Sequence, residues 1–136
     1  MKAAVVCANE DVQYLDYEEP IPGPGEVKVR ASGICGSDIP RVLHNGVHFY
    51  PIVLGHEFSG DVVEIGEGVT KVKVGDRVSG APLKPCMKCD DCQKGNFSLC
   101  KHYSFIGSRE QGSNADYVVI PEQNAVVYDS SISYEQ

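Results

Sequence analysis

The 136-residue sequence lacks the features that would place a protein in or across a membrane. No stretch of about 18 apolar residues is present, so the sequence predicts no transmembrane helix. Residues 1–6 hold too short an apolar stretch for a secretory signal. We therefore expect a cytoplasmic protein that does not enter the membrane.

Positive charge is also scarce, because 12 Lys and Arg face 19 Asp and Glu, for a formal net charge of −7. Nucleic acids and anionic membrane surfaces are bound by clustered Lys and Arg, so the composition argues against both classes of partner. A dinucleotide fingerprint is missing as well. Gly66-Glu67-Gly68 is followed by Lys71 where the third glycine should stand, and no helix is expected to open there.

Turn-forming residues are abundant, with 14 Gly and 8 Pro, and they favour β structure in a chain long enough for one domain with a core. Clean alternation places Val27, Val29 and Ala31 on one buried face. The predicted strands are residues 3–7, 12–17, 26–31, 58–65, 72–78 and 115–120. A Gly-Asp turn is expected inside the strand over residues 72–78.

Two helix starts are predicted. Residues 37–44 read as a short helix that Ser37 or Asp38 caps and Gly46 ends. Near the end of the chain, Ser133 and Gln136 have the spacing of a capping box. Because only the first turn of that helix is present, we expect a longer protein to continue it; a frayed natural C-terminus is the alternative.

Four cysteines, Cys86, Cys89, Cys92 and Cys100, have the spacing C-x2-C-x2-C-x7-C. Four thiolates this close can form a tetrahedral shell around one zinc ion, and a closed shell leaves no position for a substrate. The sequence therefore predicts a structural zinc lobe over about residues 84–103, whose few apolar residues cannot form a core of their own. Disulfide bonds are the alternative, and a reducing cytosol disfavours them.

A second, mixed set of ligands lies upstream. Cys35 offers a thiolate, His56 an imidazole and Glu57 a carboxylate, and an incomplete mixed set is what an open catalytic zinc site requires. Asp38 is predicted to fix the ring of His56 through its other nitrogen, and Ser37 to hydrogen-bond the reacting oxygen and pass its proton on. The alternatives are a buried cysteine and a surface His-Glu pair.

The other candidate ligands are predicted to have no chemical role. Cys7 lies in an apolar strand and is expected in the core. His44, His48 and His102 are expected on the surface or in loops.

Further motifs surround and follow His56. They are Gly55-His56-Glu57-Phe58-Ser59-Gly60, then Val62-Val63-Glu64-Ile65-Gly66 with Gly68-Val69, and then Val74-Gly75-Asp76-Arg77-Val78. With the cysteine cluster that follows them, they resemble the N-terminal, GroES-like domain of the zinc-dependent medium-chain alcohol dehydrogenases. The resemblance covers residues 1–136 and implies a mainly β fold, a partly open β-barrel of the GroES type with short helices and a zinc lobe.

The resemblance implies an oxidoreductase that transfers hydride between a substrate carbon and the nicotinamide of NAD(P). By this resemblance, Cys35 and His56 ligate catalytic zinc, Glu57 lies beside it as an occasional ligand, and the four-cysteine cluster holds structural zinc. Ser37 begins proton removal. The implied substrate is a polyol or a polyol phosphate such as galactitol 1-phosphate, with sorbitol, L-iditol or L-threonine as alternatives. The implied assembly is a homodimer or homotetramer.

Two features depart from the family's pattern. Many members have a relay histidine five residues after the catalytic cysteine, where this chain has Pro40, so proton exit is expected to use His44 or water. The third catalytic-zinc ligand and the Rossmann nucleotide-binding domain are expected beyond residue 136. This chain alone is therefore expected to bind structural zinc, to hold an incomplete catalytic site and to be inactive.

A phosphorylated substrate needs a cation or a backbone nest. Arg41 and Arg109 are the candidates for that contact, and two solvated surface arginines are the alternative. A second class of function also stays open, a zinc-stapled structural or interaction module without catalysis. Such a module would share the closed cysteine cluster but would not need the mixed set around Cys35 and His56.

Overall fold

Strands dominate the computed structural model, which describes residues 1–30 and 33–134. Two helices are short: α1 (Asp38–Pro40), which a π-helical turn over Arg41–Asn45 continues, and α2 (Asp90–Gln93). Single 3-10 turns cover Phe97–Leu99 and Glu122–Asn124. The strands are β1 (Lys2–Ala8), β2 (Asp11–Asp16), β3 (Glu26–Arg30), β4 (Ile52–Val53), β5 (Ser59–Ile65), β6 (Arg77–Gly80), β7 (Leu83–Lys84), β8 (Ser104–Phe105), β9 (Val118–Pro121) and β10 (Ala125–Val127).

These strands form three sheets. One sheet has the order β2-β1-β4, a five-stranded sheet has the order β10-β6-β5-β3-β9, and β7 pairs with β8. The pairings between these strands are antiparallel. The mainly β fold with short helices is therefore confirmed. Within the described residues, no helix has the length and apolar character that a membrane crossing requires.

The main hydrophobic core lies against the five-stranded sheet. Val27 and Val29 of β3 are fully buried, as the alternation predicted, while Ala31 lies outside the described residues. Two smaller buried clusters pack around β1 and β4. The main cluster consists of Val27, Val29, Phe58, Val62, Val72, Val78, Ile106, Val118 and Ile120.

Lys28 is buried between these two valines, which strict alternation does not predict. Its ammonium pairs with Glu19 and, at 3.3 Å, with Glu64, and it lies 4.7 Å from the ring centre of Tyr117. These contacts raise the pKa of Lys28, chiefly through the hydrogen bond to Glu19. A central strand can therefore bury a lysine, because two carboxylates and an aromatic ring replace the water that its charge loses.

The strand prediction for residues 72–78 is wrong in part. The Gly-Asp turn expected inside these residues is present, because Asp76 accepts the backbone N–H of Lys73 and Gly75 has a φ of +91°, but the residues before Arg77 form no strand. The strand begins only at Arg77 and pairs with β10. No pattern in the sequence predicts β10, which has only three residues, and its Val126 and Val127 are both exposed.

The helix predicted at residues 37–44 is present, and it ends at Gly46, which has a φ of +71°. Neither predicted cap operates, because Ser37 at the N-cap position makes no capping hydrogen bond and the Asp38 carboxylate pairs with Arg41. The capping box predicted to begin at Ser133 depends on Gln136, which lies outside the described residues.

Candidate functional site: two clusters of metal ligands

The four cysteines of the predicted lobe converge on one point. Their sulfurs lie within 4.8 Å of one another, with 3.9 Å between Cys86 and Cys92 and 4.0 Å between Cys89 and Cys100. A tetrahedron with Zn–S bonds of about 2.3 Å has sulfur–sulfur edges of about 3.8 Å. The geometry therefore fits a zinc ion with four thiolate ligands. The disulfide alternative is wrong, because all six cysteines of the chain are free thiols.

Backbone N–H groups aimed at the sulfurs prepare this cluster for a cation. The N–H groups of Lys88 and Cys89 lie 3.5 and 3.4 Å from the Cys86 sulfur and lower its pKa. The pKa of Cys89 falls to about 6, chiefly because it accepts the backbone N–H of Cys92. Burial, in contrast, raises the pKa of Cys92 to about 12. The cluster cannot ionise fully by itself, so a divalent cation is what would allow four thiolates to coexist.

The lobe is attached to the sheet through its base. β7 and β8 pair there, and Lys84 and Ser104 both bind one carboxylate, that of Glu110, at 2.9 Å each. This ion pair joins both strands to the segment that follows β8. The segment between β7 and β8 contains the four cysteines, α2 and one 3-10 turn.

The mixed set forms just beyond the paired residues of β3 and β5, after the end of β3 and before the start of β5. An isolated bridge joins Gly33 to Glu57, and the N–H of Gly33 donates to the carbonyl of Glu57 at 2.7 Å. A Cβ on Gly33 would lie 3.1 Å from that carbonyl oxygen, so the close approach favours glycine. Cys35 follows the bridge on one side and His56 precedes it on the other, which brings the two side chains together.

The predicted ligand atoms of Cys35, His56 and Glu57 lie within 4.8 Å of one another. The Ser37 hydroxyl is 3.3 Å from the Cys35 sulfur and 3.4 Å from Nε2 of His56. His56 is 8% exposed and Glu57 is exposed, so the set is buried on one side and open on the other. A thiolate, an imidazole and a carboxylate in an open arrangement fit a zinc ion that retains a position for a further ligand.

Asp38 lies behind the imidazole, on the side away from Cys35. Its Oδ1 is 3.5 Å from Nδ1 of His56, and it accepts a hydrogen bond from Arg41 at 3.1 Å. The Asp38 Oδ2 and the His56 Nδ1 are both buried without a hydrogen-bond partner. A metal on Nε2 would hold the ring proton on Nδ1, where it faces the carboxylate, so these two orphaned atoms also fit a metal-loaded imidazole.

Gly55 has a φ of +98° and touches the segment that follows β8. A Cβ there would lie 2.7 Å from the backbone nitrogen of Asn114 and 2.7 Å from the Ser113 hydroxyl. We expect Gly55→Ala to cost about 2–5 kcal/mol of unfolding free energy, because left-handed strain adds to overpacking. Chemical denaturation measures this cost.

Gly68→Ala is the matched control, since Gly68 has a φ of +79° but open space around it. Its cost should be only the backbone strain, about 1–2 kcal/mol. Equal costs for the two variants would show that close packing at Gly55 adds nothing to the backbone strain.

The structure separates the remaining candidates. Arg41 adjoins the mixed set through Asp38, whereas exposed Arg109 stacks on Tyr103 at 4.7 Å. Cys7 is half-buried against the cluster on β1. Two buried or adjoining residues were missed in the sequence: Phe105, whose ring meets that of His56 edge-on at 5.6 Å, and Ser108, which is 8% exposed and follows β8. Neither has a local sequence signal, because each approaches from a distant strand or turn.

The three remaining histidines, His44, His48 and His102, are exposed as predicted.

Comparison with known proteins gives one family and many relatives. Residues 22–130 match the family described as "Alcohol dehydrogenase GroES-like domain". The chain is 47% identical over 109 residues to galactitol 1-phosphate 5-dehydrogenase of Escherichia coli K12. This match covers 80% of this chain and 32% of that protein. It is 40% identical over 129 residues to sorbitol dehydrogenase of Halalkalibacterium halodurans, covering 91% and 38%.

Solved structures give the same answer for the fold. The crystal structure of galactitol-1-phosphate dehydrogenase from Escherichia coli matches with a TM-score of 0.93 and 42% identity, over 99% of this chain and 40% of that one. A zinc-binding dehydrogenase from Sinorhizobium meliloti 1021 bound to NADP matches with a TM-score of 0.89 and 32% identity, over 98% and 40%. The chain thus spans about a third of the length of the curated relatives named above. These matches confirm the resemblance and the GroES-like fold that the motifs predicted.

Proposed function

Because this chain belongs to the alcohol dehydrogenase GroES-like domain family, we propose that residues 1–136 form the catalytic domain of a zinc-dependent NAD(P) polyol dehydrogenase. The observation that carries the proposal is the convergence of Cys35, His56 and Glu57 on an open point, beside a separate closed cluster. A purely structural module needs the closed cluster alone. The nucleotide-binding Rossmann domain and the third catalytic-zinc ligand belong, in this proposal, to further parts of a longer protein.

Zinc bound at the mixed set would polarise an alcohol or carbonyl oxygen and favour loss of the hydroxyl proton. The chain's own residues supply the rest. Cys35 and His56 would hold the ion, Glu57 would lie beside it, and Asp38 would fix the ring of His56 from behind. The Ser37 hydroxyl faces both Cys35 and His56, so it is positioned to accept the substrate's proton. Pro40 cannot relay that proton further, and exposed His44 or water takes it to solvent.

For the substrate we propose a polyol phosphate such as galactitol 1-phosphate, oxidised with NAD. The support is the 47% identity to a dehydrogenase that is named for this substrate. Sorbitol, L-iditol and L-threonine are the competing substrates, and the 40% identity to a sorbitol dehydrogenase keeps them in the comparison. We also propose a cytoplasmic homodimer or homotetramer; the metal-type clustering of four cysteines supports the reducing compartment.

The test is an assay of the full-length protein that contains this chain. Reduction of NAD and NADP is followed with galactitol 1-phosphate, galactitol, sorbitol and L-threonine, before and after zinc depletion and zinc readdition. We expect zinc-dependent reduction of NAD, fastest with the phosphorylated polyol. A protein that holds zinc in the four-cysteine cluster but reduces neither nucleotide with any alcohol would support the structural module instead.

A further inference from the structure

A small polar cavity lies next to Arg41, which pairs with Asp38 beside the mixed set. Its volume is about 180 Å³, and Arg41, Asn45, His48 and Ser108 contribute its polar side chains. Among the described residues that line it, one is a permanent cation and none is a carboxylate. In a chain with a net charge of −7, such a composition is unusual and favours an anion.

Arg41 retains most of its donors for a ligand. One Nη1 bond goes to Asp38, and a guanidinium has five N–H donors in a planar fork. Asp38 itself is 3% exposed and does not line the cavity, so its charge orients the arginine from behind. A phosphate contacts such a fork through two oxygens at once.

Ser108 supplies an independent indication of a ligand. It is more than nine-tenths buried and lines the cavity, and its hydroxyl has no hydrogen-bond partner in the part of the chain that the structure describes. Because no described residue engages this hydroxyl, it can donate to a group bound in the cavity.

A larger cavity elsewhere in the domain fits an anion poorly. Its volume is about 580 Å³, and three carboxylates line it, those of Glu18, Glu19 and Glu110. Of the lysines and arginines that the structure describes, Lys84 alone lines it. Lys84 is already paired with Glu110. A phosphate entering there would meet more negative than positive charge.

We infer that the cavity of Arg41, Asn45, His48 and Ser108 binds the phosphate group of a phosphorylated polyol. This inference rests on the proposed function, because it takes the mixed set as the place of hydride transfer. Arg41 contacts Asp38, which in turn faces His56, so the cavity lies two contacts from the imidazole. The inference therefore requires a polyol chain to extend from the reacting carbon to a phosphate placed there.

The test compares galactitol 1-phosphate with galactitol in the full-length enzyme. Arg41→Gln should raise the KM for the phosphorylated polyol about 10- to 100-fold, and Ser108→Ala about 3- to 10-fold, with little change for galactitol. Lys73→Gln is the matched loss of a surface cation and should change neither value. Equal losses on both polyols for Arg41→Gln would overturn the inference, because Arg41 would then act through Asp38 and His56.

Calorimetry with inorganic phosphate provides a readout without turnover. We expect phosphate to bind the full-length protein and both variants to weaken that binding; binding that is unchanged in both would overturn the inference.

Failure of the proposed function and failure of this inference are distinguishable. If no alcohol is oxidised but Arg41→Gln and Ser108→Ala still weaken phosphate binding, the proposed function fails and the cavity remains an anion site. If alcohols are oxidised and neither variant separates the two polyols, the cavity alone is wrong.

Discussion

Removing zinc from the four-cysteine lobe is expected to unfold residues 85–103 while the sheets remain folded. The lobe has no hydrophobic core, and its larger apolar side chains are 38–62% exposed. Its interior consists of four sulfurs, so zinc binding there supplies the folding free energy, on the order of 10 kcal/mol. The exposed side chains are Met87, Phe97, Leu99 and Tyr103.

Limited proteolysis measures this unfolding directly. The zinc-loaded protein should resist cleavage across residues 85–101, and the chelated protein should be cut there first. Cys100→Ala should reproduce the chelated pattern, whereas Cys7→Ala, which removes a half-buried cysteine from β1, should retain resistance and zinc. A chelated sample that keeps native protease resistance in the lobe would contradict the prediction.

The sequence predicts this lobe well for a local reason. Ligands separated by two residues can meet only within one turn of backbone, so the spacing of Cys86, Cys89 and Cys92 already constrains their sulfurs to converge. The N–H groups that lower the pKa of Cys86 come from the same turn. No distant strand is needed to complete the cluster.

Other parts of the fold depend on distant partners, and there the sequence fails. β10 exists because β6 offers it an edge, and three residues with two exposed valines carry no periodic signal. Lys28 is buried because Glu19, Glu64 and Tyr117 surround it, and both Glu64 and Tyr117 are far from it along the chain. Strand pairing and buried ion pairs are properties of the tertiary fold, which alternation within one segment cannot reveal.

The mixed set is intermediate between these cases. The residue types at Cys35, His56 and Asp38 predicted a metal site, and the structure brings their side chains together. The edge-on contact of Phe105 with His56 could not be predicted, because Phe105 arrives from the segment after the lobe, and the same holds for Ser108 near Arg41. The failure of Ser37 to cap its helix has the same origin, since its hydroxyl contacts Cys35 and His56 instead.

Replacing Cys35 with alanine is expected to abolish turnover without unfolding the lobe. Cys35 supplies the thiolate of the mixed set and lies outside the four-cysteine cluster, so its loss should remove the catalytic ion alone. A zinc ion acting as a Lewis acid contributes several kcal/mol to transition-state stabilisation, and 1.36 kcal/mol corresponds to a tenfold change in rate. The value of kcat/KM in the full-length enzyme should therefore fall about 10³-fold or more.

Three measurements on the full-length protein separate this loss from a folding defect. Cys35→Ala should lose one zinc ion per chain by elemental analysis, keep protease resistance across the lobe, and lose activity. Cys100→Ala should lose the other ion together with that resistance, and Cys7→Ala should lose neither. If Cys35→Ala kept both zinc ions and its full activity, the point where Cys35, His56 and Glu57 converge would not be the place of catalysis, because an open site cannot spare its thiolate ligand.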